Sequence, residues 1–226
     1  FFIIVIFILC VLLTGERSNT LKVVFGVLLF IYLNKNLNFK IKFYFTIILF
    51  SLSILVITNS FHLKARYGKQ LFSQLTNTEQ RSNFFENNIY INLYKAGFEV
   101  FKNNPIFGVG NKNYRIETTK NHQKYTHLKI VSNHPHQIYL ELLAEHGIVG
   151  TTILLVLLFA LIFKNIKIII LSRNSIQLGA FVYLIVNFLP ILPSGSFFND
   201  FNATLFWINF SVMYASNPKT NIFNKN

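Results

Sequence analysis

The sequence predicts an all-α fold, that of a polytopic helical membrane protein with one large loop outside the membrane. Charged residues make up 13% of the 226-residue chain, about half of the ~25% that is usual for a soluble domain. Hydrophobic residues make up 52% and are concentrated in blocks of the length of helical spans. The short basic segments between these blocks all fall on the same side of the predicted membrane, so the three observations agree.

The composition also limits the kinds of site that the chain offers. Its net charge of +13 is spread over the segments between apolar blocks, which favours membrane topology and an anionic substrate over nucleic acid. Cys10 is the only cysteine and Asp200 the only aspartate. A disulfide framework, a cysteine-based zinc site and an aspartate-based Mg²⁺ site are therefore disfavoured, and we expect no metal or cofactor.

Six apolar blocks qualify as membrane spans. Crossing the hydrocarbon core takes roughly 20 residues in a helix, because every backbone polar group must pair within the segment. The predicted spans, some of which extend into neighbouring polar residues, are 1–13, 20–33, 43–59, 148–163, 175–192 and 203–216. The first has neither a starting Met nor a charged region before it. We therefore expect it to be a shortened span of an N-terminally truncated chain rather than a signal peptide.

Short basic segments set the predicted orientation. Residues 34–42, 164–174 and 217–226 hold eight Lys and Arg and no acidic residue. By the positive-inside rule these segments are cytoplasmic. The other connections then lie on the opposite side, and the longest of them is the segment 60–147.

The predicted organisation has four parts: transmembrane helices at 1–59, a large periplasmic loop domain at 60–147, transmembrane helices at 148–216 and a cytoplasmic tail at 217–226. The loop holds all six histidines and 11 of the 21 Lys and Arg. Its apolar residues recur at helical spacing over 84–104, which predicts an amphipathic helix stopped by Pro105. The remainder is predicted to be a turn-rich strip at 105–110, an irregular stretch at 113–133, and a second helix from Pro135 to Gly147.

The strongest local signal is the histidine pair at the start of that second helix. Proline is favoured at the first helical position, which predicts His134 as the N-cap and places His136 in the first turn. A helix N-terminus can hold a phosphate, and it favours the neutral imidazole that a general base needs. The alternative is that both histidines are surface residues at a helix start. A metal role is disfavoured, because the sequence has no pattern that supplies a third ligand.

Several segments resemble a known family. Residues 134–150, HPHQIYLELLAEHGIVG, are similar to the signature of O-antigen ligases and related polymerases. In that signature a His, usually followed by Asn, precedes a helix that ends in Glu-x-Gly-x-x-Gly. The stretch TGERS at 14–18 resembles the family's Ser/Thr-x-x-Arg-Ser motif, and PIFGVG at 105–110 resembles its Gly-x-Gly strip. Residues 190–202 are similar to its C-terminal Pro-rich segment, so the resemblance covers most of the chain in order.

The resemblance implies a GT-C-like membrane enzyme that transfers a glycan without a metal. It implies a location in the bacterial inner membrane, among membrane lipids, with the active site facing the periplasm. The implied donor is a glycan linked to undecaprenyl diphosphate. The implied acceptor is the lipid A core in a ligase or a second lipid-linked glycan in a polymerase, and the two classes share these motifs.

The resemblance also implies which histidine is catalytic. The family's histidine corresponds best to His136, which would take the proton from the acceptor hydroxyl. Gln137 stands where most members have Asn. This departure leaves His134 as a partner in the role or as its alternative holder.

Arginines are implied as the diphosphate ligands. Arg17 corresponds to the arginine of the span motif, although a charged side chain at a span end can also simply reach for the interface. Tyr90 stands where many members carry a second arginine on the loop helix. Arg115 or Arg81 is expected to replace that arginine, and the alternative is that both are solvated surface charges.

Two other classes of function remain open at this point: a transporter or channel, and a membrane-anchored protein that binds glycan without catalysis. Transporters place their sites near the membrane midplane, often at helix breaks. The breaks in the predicted spans, Pro190 and Pro193, lie near one end. Mutation of His136 separates an enzyme from a binding protein, because only the enzyme would lose turnover of the donor.

Overall fold

The computed structural model describes residues 2–70, 76–120, 132–221 and 223, without the side chains at 79–81, 83, 85 and 120. Every regular element among these residues is helical, which confirms the predicted helical class. The chain divides into two compact units. The first comprises residues 1–82, 166–186 and 211–226, and the second comprises 83–165 and 187–210.

The first unit begins with three apolar helices: α1 (Phe2–Leu13), α2 (Arg17–Leu33) and α3 (Phe39–Asn59). They share a core of buried side chains formed by Val5, Ile8, Ile31, Phe45 and Leu49. The predicted spans at 20–33 and 43–59 lie within α2 and α3. The apolar blocks of the sequence are therefore helices that pack on one another.

The side chain of Asn38 starts α3, and a π-helix follows the end of α3. The Asn38 side chain caps α3 by accepting a hydrogen bond from the Ile41 N–H at 2.9 Å. After α3, a helical turn over Phe61–Leu63 continues as a π-helix over Lys64–Lys69. π-Helical turns are rare and are often found at functional sites.

The remaining helices follow in chain order: α4 (Thr78–Asn87), α5 (Ile89–Asn103), α6 (Tyr114–Lys120), α7 (Ile138–Phe163), α8 (Ile166–Leu171), α9 (Ser175–Asn187) and α10 (Asp200–Ala215). In the second unit α5 packs along α7. A buried cluster of Val100, Tyr114 and Ala144 joins these two helices to α6. This packing of α5, α6 and α7 positions the candidate site.

Two stretches of the described chain are long and apolar enough to cross a membrane, by length and composition: Phe39–Asn59 and Ile138–Leu171, which contains α7 and α8. The helices α1 and α9 are apolar but shorter. α9 ends at Asn187, before the predicted span end at 192, and Pro190 follows. The residue before a proline is disfavoured in a helix, which accounts for the early end.

The prediction of one helix over 84–104 is wrong, because the chain forms two helices that meet at Asn88. The Asn88 side chain accepts hydrogen bonds from the N–H groups of Tyr90 and Ile91, at 2.9 and 3.3 Å. These bonds start a new helix at Ile89 and compete with continuation of the previous one.

The prediction of an irregular stretch over 113–133 is wrong in its first part, which forms α6. The carboxylate of Glu145 accepts hydrogen bonds from the N–H groups of Lys112 and Tyr114, at 2.9 and 3.4 Å. Glu145 thus satisfies N–H groups at the start of α6, although it lies 31 residues beyond Tyr114 in the chain. Residues 121–131 lie outside the described residues.

Candidate functional site

The two histidines lie in the short segment that leads into α7. The prediction that His134 caps this helix is wrong, because Gln137 is the N-cap and the helix begins at Ile138. The Gln137 side chain accepts a hydrogen bond from the Leu140 N–H at 2.8 Å. His136 precedes this cap and has a φ of 55°, in the left-handed region. Both histidines therefore stand just outside the helix rather than in its first turn.

The imidazole rings of His134 and His136 lie side by side, with 3.9 Å between their centroids and an interplanar angle of 33°. Tyr90, in the first turn of α5, meets His136 edge to face with 6.1 Å between ring centroids. Tyr90 is the residue that stands where many members of the resembled family have arginine. Nothing in the sequence places its ring against His136, because the contact depends on how α5 packs.

Burial lowers the pKa of both imidazoles. The pKa of His134 is lowered mainly by desolvation and further by the neighbouring His136, and a hydrogen bond with the Ser194 backbone partly raises it. The resulting pKa is about 4. For His136, desolvation lowers the pKa from its usual value of 6.5. Both rings are therefore neutral near pH 7, the state in which an imidazole nitrogen can accept a proton.

A glycine in α5 lets the histidine segment approach this helix closely. A Cβ atom on Gly97 would lie 2.6 Å from the Cβ of Pro135 and 3.3 Å from the Cβ of Leu140. Both distances are shorter than ordinary carbon–carbon contacts. The absence of a side chain at Gly97 therefore allows Pro135, between the two histidines, to rest directly on α5.

The Gly-x-Gly strip at 105–110 binds to a break in α7. At Gly147 the backbone is not helical, with φ 61° and ψ −171°, so helical hydrogen bonds on both sides of it are lost. The strip replaces them with four backbone bonds of 2.8 to 3.2 Å, in which Val109 donates to Ala144, Gly110 to Glu145, Ile148 to Pro105 and Val149 to Ile106.

Two glycines make this contact possible. A Cβ on Gly147 would overlap the carbonyl of Ile106, and a Cβ on Gly108 would overlap the carbonyl of Glu145. Both glycines also have positive φ, 61° and 68°, which other residues adopt at a cost. The two glycine motifs, far apart in the sequence, are thus the two sides of one contact.

Residues 188–202, which we call the strap, pack against the histidine segment. The N–H of Ser194 donates to the carbonyl of His136 at 2.8 Å. Glu141, in the first turn of α7 and 1% exposed, accepts hydrogen bonds from the Ser196 hydroxyl and from the Phe197 N–H, the latter at 2.9 Å. The segment that resembled the family's C-terminal motif therefore lies next to the histidines.

Two polar atoms where the strap meets the histidine segment are buried and have no hydrogen-bond partner among the described residues: His134 Nε2 and Ser194 Oγ. Buried polar atoms in proteins are nearly always paired. These two atoms are therefore polar groups of the site that the described residues leave unsatisfied.

The predicted arginines have different surroundings. Arg115 is an exposed residue of α6, directly after Tyr114, and the side chain of Arg81 in α4 lies outside the described residues. Arg17 is the half-buried first residue of α2, in the first unit. Arg66, which no sequence motif singles out, donates from Nε to the carbonyl of Gly15 at 3.3 Å. A second guanidinium therefore lies at the turn that precedes Arg17.

The side chains at the site suit proton transfer to and from hydroxyl groups. In the parts of the chain that the structure describes, His, Cys, Asp and Glu form no group of three that could hold a metal ion. The site offers two neutral imidazoles, a buried serine hydroxyl and the Tyr90 ring. A neutral imidazole within reach of a substrate hydroxyl is the usual general base of enzymes.

Comparison with known proteins identifies a family. A family described as O-antigen ligase matches residues 2–155. The matched range contains the histidine segment, the Gly-x-Gly strip and the break at Gly147, and it ends before the strap. No curated protein and no solved structure matches the chain.

Proposed function

The chain belongs to the O-antigen ligase family, and on that premise we propose that it transfers a glycan from an undecaprenyl-diphosphate-linked donor to a sugar hydroxyl. Members of the family transfer glycan in O-antigen biosynthesis. The observation that carries the proposal is the His134–His136 pair, two half-buried imidazoles of lowered pKa held between α5 and the strap. The proposed transfer needs no metal ion.

His136 is the proposed general base. Its resemblance to the family's histidine supports this choice, and so does the low pKa of His134, about 4. A base with a pKa far below the working pH is a weak one. His134 is proposed to act beside it, by hydrogen bonding the acceptor through its buried Nε2.

The proposed reaction is a single displacement. The acceptor oxygen attacks the anomeric carbon of the donor while His136 takes the hydroxyl proton. The bond between that carbon and the diphosphate oxygen breaks, and undecaprenyl diphosphate leaves with the electron pair. Attack from the face opposite the leaving group inverts the configuration at the anomeric carbon.

Arginines are proposed to neutralise the leaving diphosphate. Guanidinium groups bind phosphate oxygens in a bidentate fashion and stay charged at every physiological pH. Arg17 is the first candidate, because it corresponds to the arginine of the family's span motif. Arg115 and then Arg81 remain the proposed second ligands, and Arg66 joins them because it lies at the turn before Arg17.

The acceptor decides between the two subclasses of the proposed function. A ligase transfers the glycan to the lipid A core, and a polymerase transfers it to a second lipid-linked glycan. We propose to test this by incubating the purified protein with an undecaprenyl-diphosphate-linked oligosaccharide, alone or with lipid A core. Longer lipid-linked products indicate a polymerase, and products only with lipid A core indicate a ligase. A donor that is never consumed contradicts the proposed transfer.

The proposed location is the bacterial inner membrane, with several spans and residues 60–147 on the periplasmic side. The basic segments between apolar blocks support this orientation, because such segments stay in the cytoplasm. Alkaline phosphatase fused after Lys124 should be active, and the same reporter fused after Lys225 should be inactive. The reverse pattern contradicts the orientation.

A further inference from the structure

The strap connects a buried carboxylate to the backbone of His136. From the geometry we infer that Glu141 is a positioning residue: it holds Ser196 and Phe197, and the strap they belong to holds His136 through Ser194. This inference rests on the proposed function, in which the His136 imidazole is the base.

Both hydrogen bonds that Glu141 accepts within the described residues come from the strap, from the Ser196 hydroxyl and the Phe197 N–H. Its side chain is 1% exposed, so water does not compensate for the loss of these bonds. A buried carboxylate is tolerated only where hydrogen bonds replace its hydration. The pairing of Glu141 with the strap is therefore tightly coupled: neither side can move away without leaving buried polar groups unpaired.

His136 needs to be held in place. Its φ of 55° lies in the left-handed region, which is unfavourable for a residue with a side chain. Such a conformation persists only where the surroundings fix it. The Ser194 N–H, 2.8 Å from the His136 carbonyl, is the strap's direct contact with this residue.

Glu141 is the anchor nearest to that contact. The strap is also fixed at other points, where Tyr139 donates to the Phe188 carbonyl at 2.6 Å and Tyr94 to the Ile191 carbonyl at 2.9 Å. These bonds hold the part of the strap before Ser194. Beyond Ser194, the Asn202 side chain donates to the Ser196 carbonyl at 2.9 Å, and the Phe197 ring packs against Phe188 and Phe206. Loss of the Glu141 bonds would therefore loosen residues 194–197, while these other contacts keep the strap attached.

The test compares Glu141→Ala with Glu141→Gln in the full chain. Gln keeps an oxygen that accepts from the Phe197 N–H and an NH₂ group that donates to Ser196 Oγ, so it preserves the geometry without the charge. Ala removes both bonds. The readout is the rate at which diethyl pyrocarbonate modifies His136, measured by peptide mass spectrometry across pH 5 to 8, since the reagent attacks only the neutral ring.

We expect Glu141→Ala to speed modification of His136 and to move the midpoint of the pH profile up towards ~6.5, the value of an exposed imidazole. The titratable groups that face the His136 ring are His134 from its own segment and Tyr90 from α5, and neither is changed. Glu141 is itself titratable, and Glu141→Gln, which also lacks the carboxyl group, controls for its loss. The kcat for transfer should fall by about 10²-fold, as misplacement of a reacting group by ~1 Å can cause, with a much smaller change in KM. Glu141→Gln should resemble the protein without substitution in the rate of His136 modification, in the midpoint of its pH profile and in kcat.

An unchanged His136 profile in Glu141→Ala overturns the inference, and so does a Glu141→Gln protein that behaves like Glu141→Ala. The yield of monodisperse protein in detergent reports on folding: if it falls, Ser196→Ala, which removes one bond only, replaces Glu141→Ala. Modification does not depend on transfer. If the protein without substitution transfers no glycan but Glu141→Ala shifts the pH profile of His136, the positioning role is supported and the proposed function is refuted. If the protein without substitution transfers glycan but Glu141→Ala leaves the profile unshifted, only the positioning role is refuted.

Discussion

The helices α3 and α7 are similar in sequence character but differ in how they are built. Both belong to stretches long and apolar enough to cross a membrane. In α3 the helix runs unbroken, and Ser53, Thr58 and Asn59 return their hydrogen bonds to carbonyls of the same helix. In α7 the backbone breaks at Gly147, and Glu141 and Glu145 bind N–H groups from other segments.

The difference shows what an interruption in an apolar helix provides. An unbroken helix satisfies its own backbone and leaves little for other segments to bind. The broken helix offers carbonyls, N–H groups and buried carboxylates, and the strip, α6 and the strap are fixed to them. The proposed chemistry lies beside α7 because its first part can hold three other segments in place.

The largest effect is expected from removal of the break. Gly147→Ala should abolish both folding and transfer, because the added Cβ overlaps the Ile106 carbonyl and a non-glycine residue at positive φ costs about 1–3 kcal/mol in addition. The yield of monodisperse protein in detergent and the transfer rate measure this effect.

The matched control is Gly68→Ala. Gly68 has nothing within 4 Å of the Cβ that it would gain, and its φ is not positive, so this variant should fold and work normally. If Gly147→Ala matched it in yield and activity, the break in α7 would have no structural importance.

A smaller effect is expected at Arg17, the first candidate ligand of the diphosphate. Arg17→Lys should reduce transfer by roughly 10–100-fold, because an ammonium cannot reproduce the bidentate guanidinium contact, and hydrogen bonds to charged groups are worth ~1.5–3 kcal/mol. The kcat/KM for the lipid-linked donor measures it. Arg173→Lys, the same change in a segment predicted to be cytoplasmic, should leave kcat/KM unaltered. Equal activity of the two variants removes Arg17 from the site.

The smallest effect is expected from removal of the N-terminal caps of the two helices. Asn38 starts α3 and Gln137 starts α7, each by accepting a hydrogen bond from an N–H three residues on. Loss of either cap should cost about 1 kcal/mol of stability, seen as a similar small drop in the thermal midpoint. Only Gln137→Ala should also slow transfer, because His136 precedes this cap. Equal transfer rates in both variants would mean that the start of α7 does not influence the histidine.

Features set by local chemistry could be predicted from the sequence. The apolar blocks predicted the helices, since backbone groups in such blocks pair within the segment. The glycine motifs at 105–110 and 147–150 marked real departures from helical structure. The sequence singled out the two histidines as candidates, and their closeness follows from the single proline between them.

Features set by distant contacts could not be predicted. Glu145 starts α6 from 31 residues away, and Glu141 binds Phe197 from 56 residues away. The start of α7 was misplaced for the same reason: a rule for proline at helix starts put it at Pro135, but the packing of Pro135 on Gly97 and the bond from Ser194 hold that segment outside the helix. Tertiary contacts outweigh local preferences of about 1 kcal/mol.

The central claim, that His136 is the base, is tested most directly by the transfer rate as a function of pH with purified donor. In the unmodified protein the rate should be constant near pH 7 and should fall as the pH drops below 6.5 through the lowered pKa of His136, because protonation removes the basic lone pair. His136→Ala should lower kcat by about 10²–10⁴-fold while the donor still binds, and His134→Ala should lower it less. A His136→Ala protein with full activity, or a His134→Ala protein that alone loses transfer, would contradict the account.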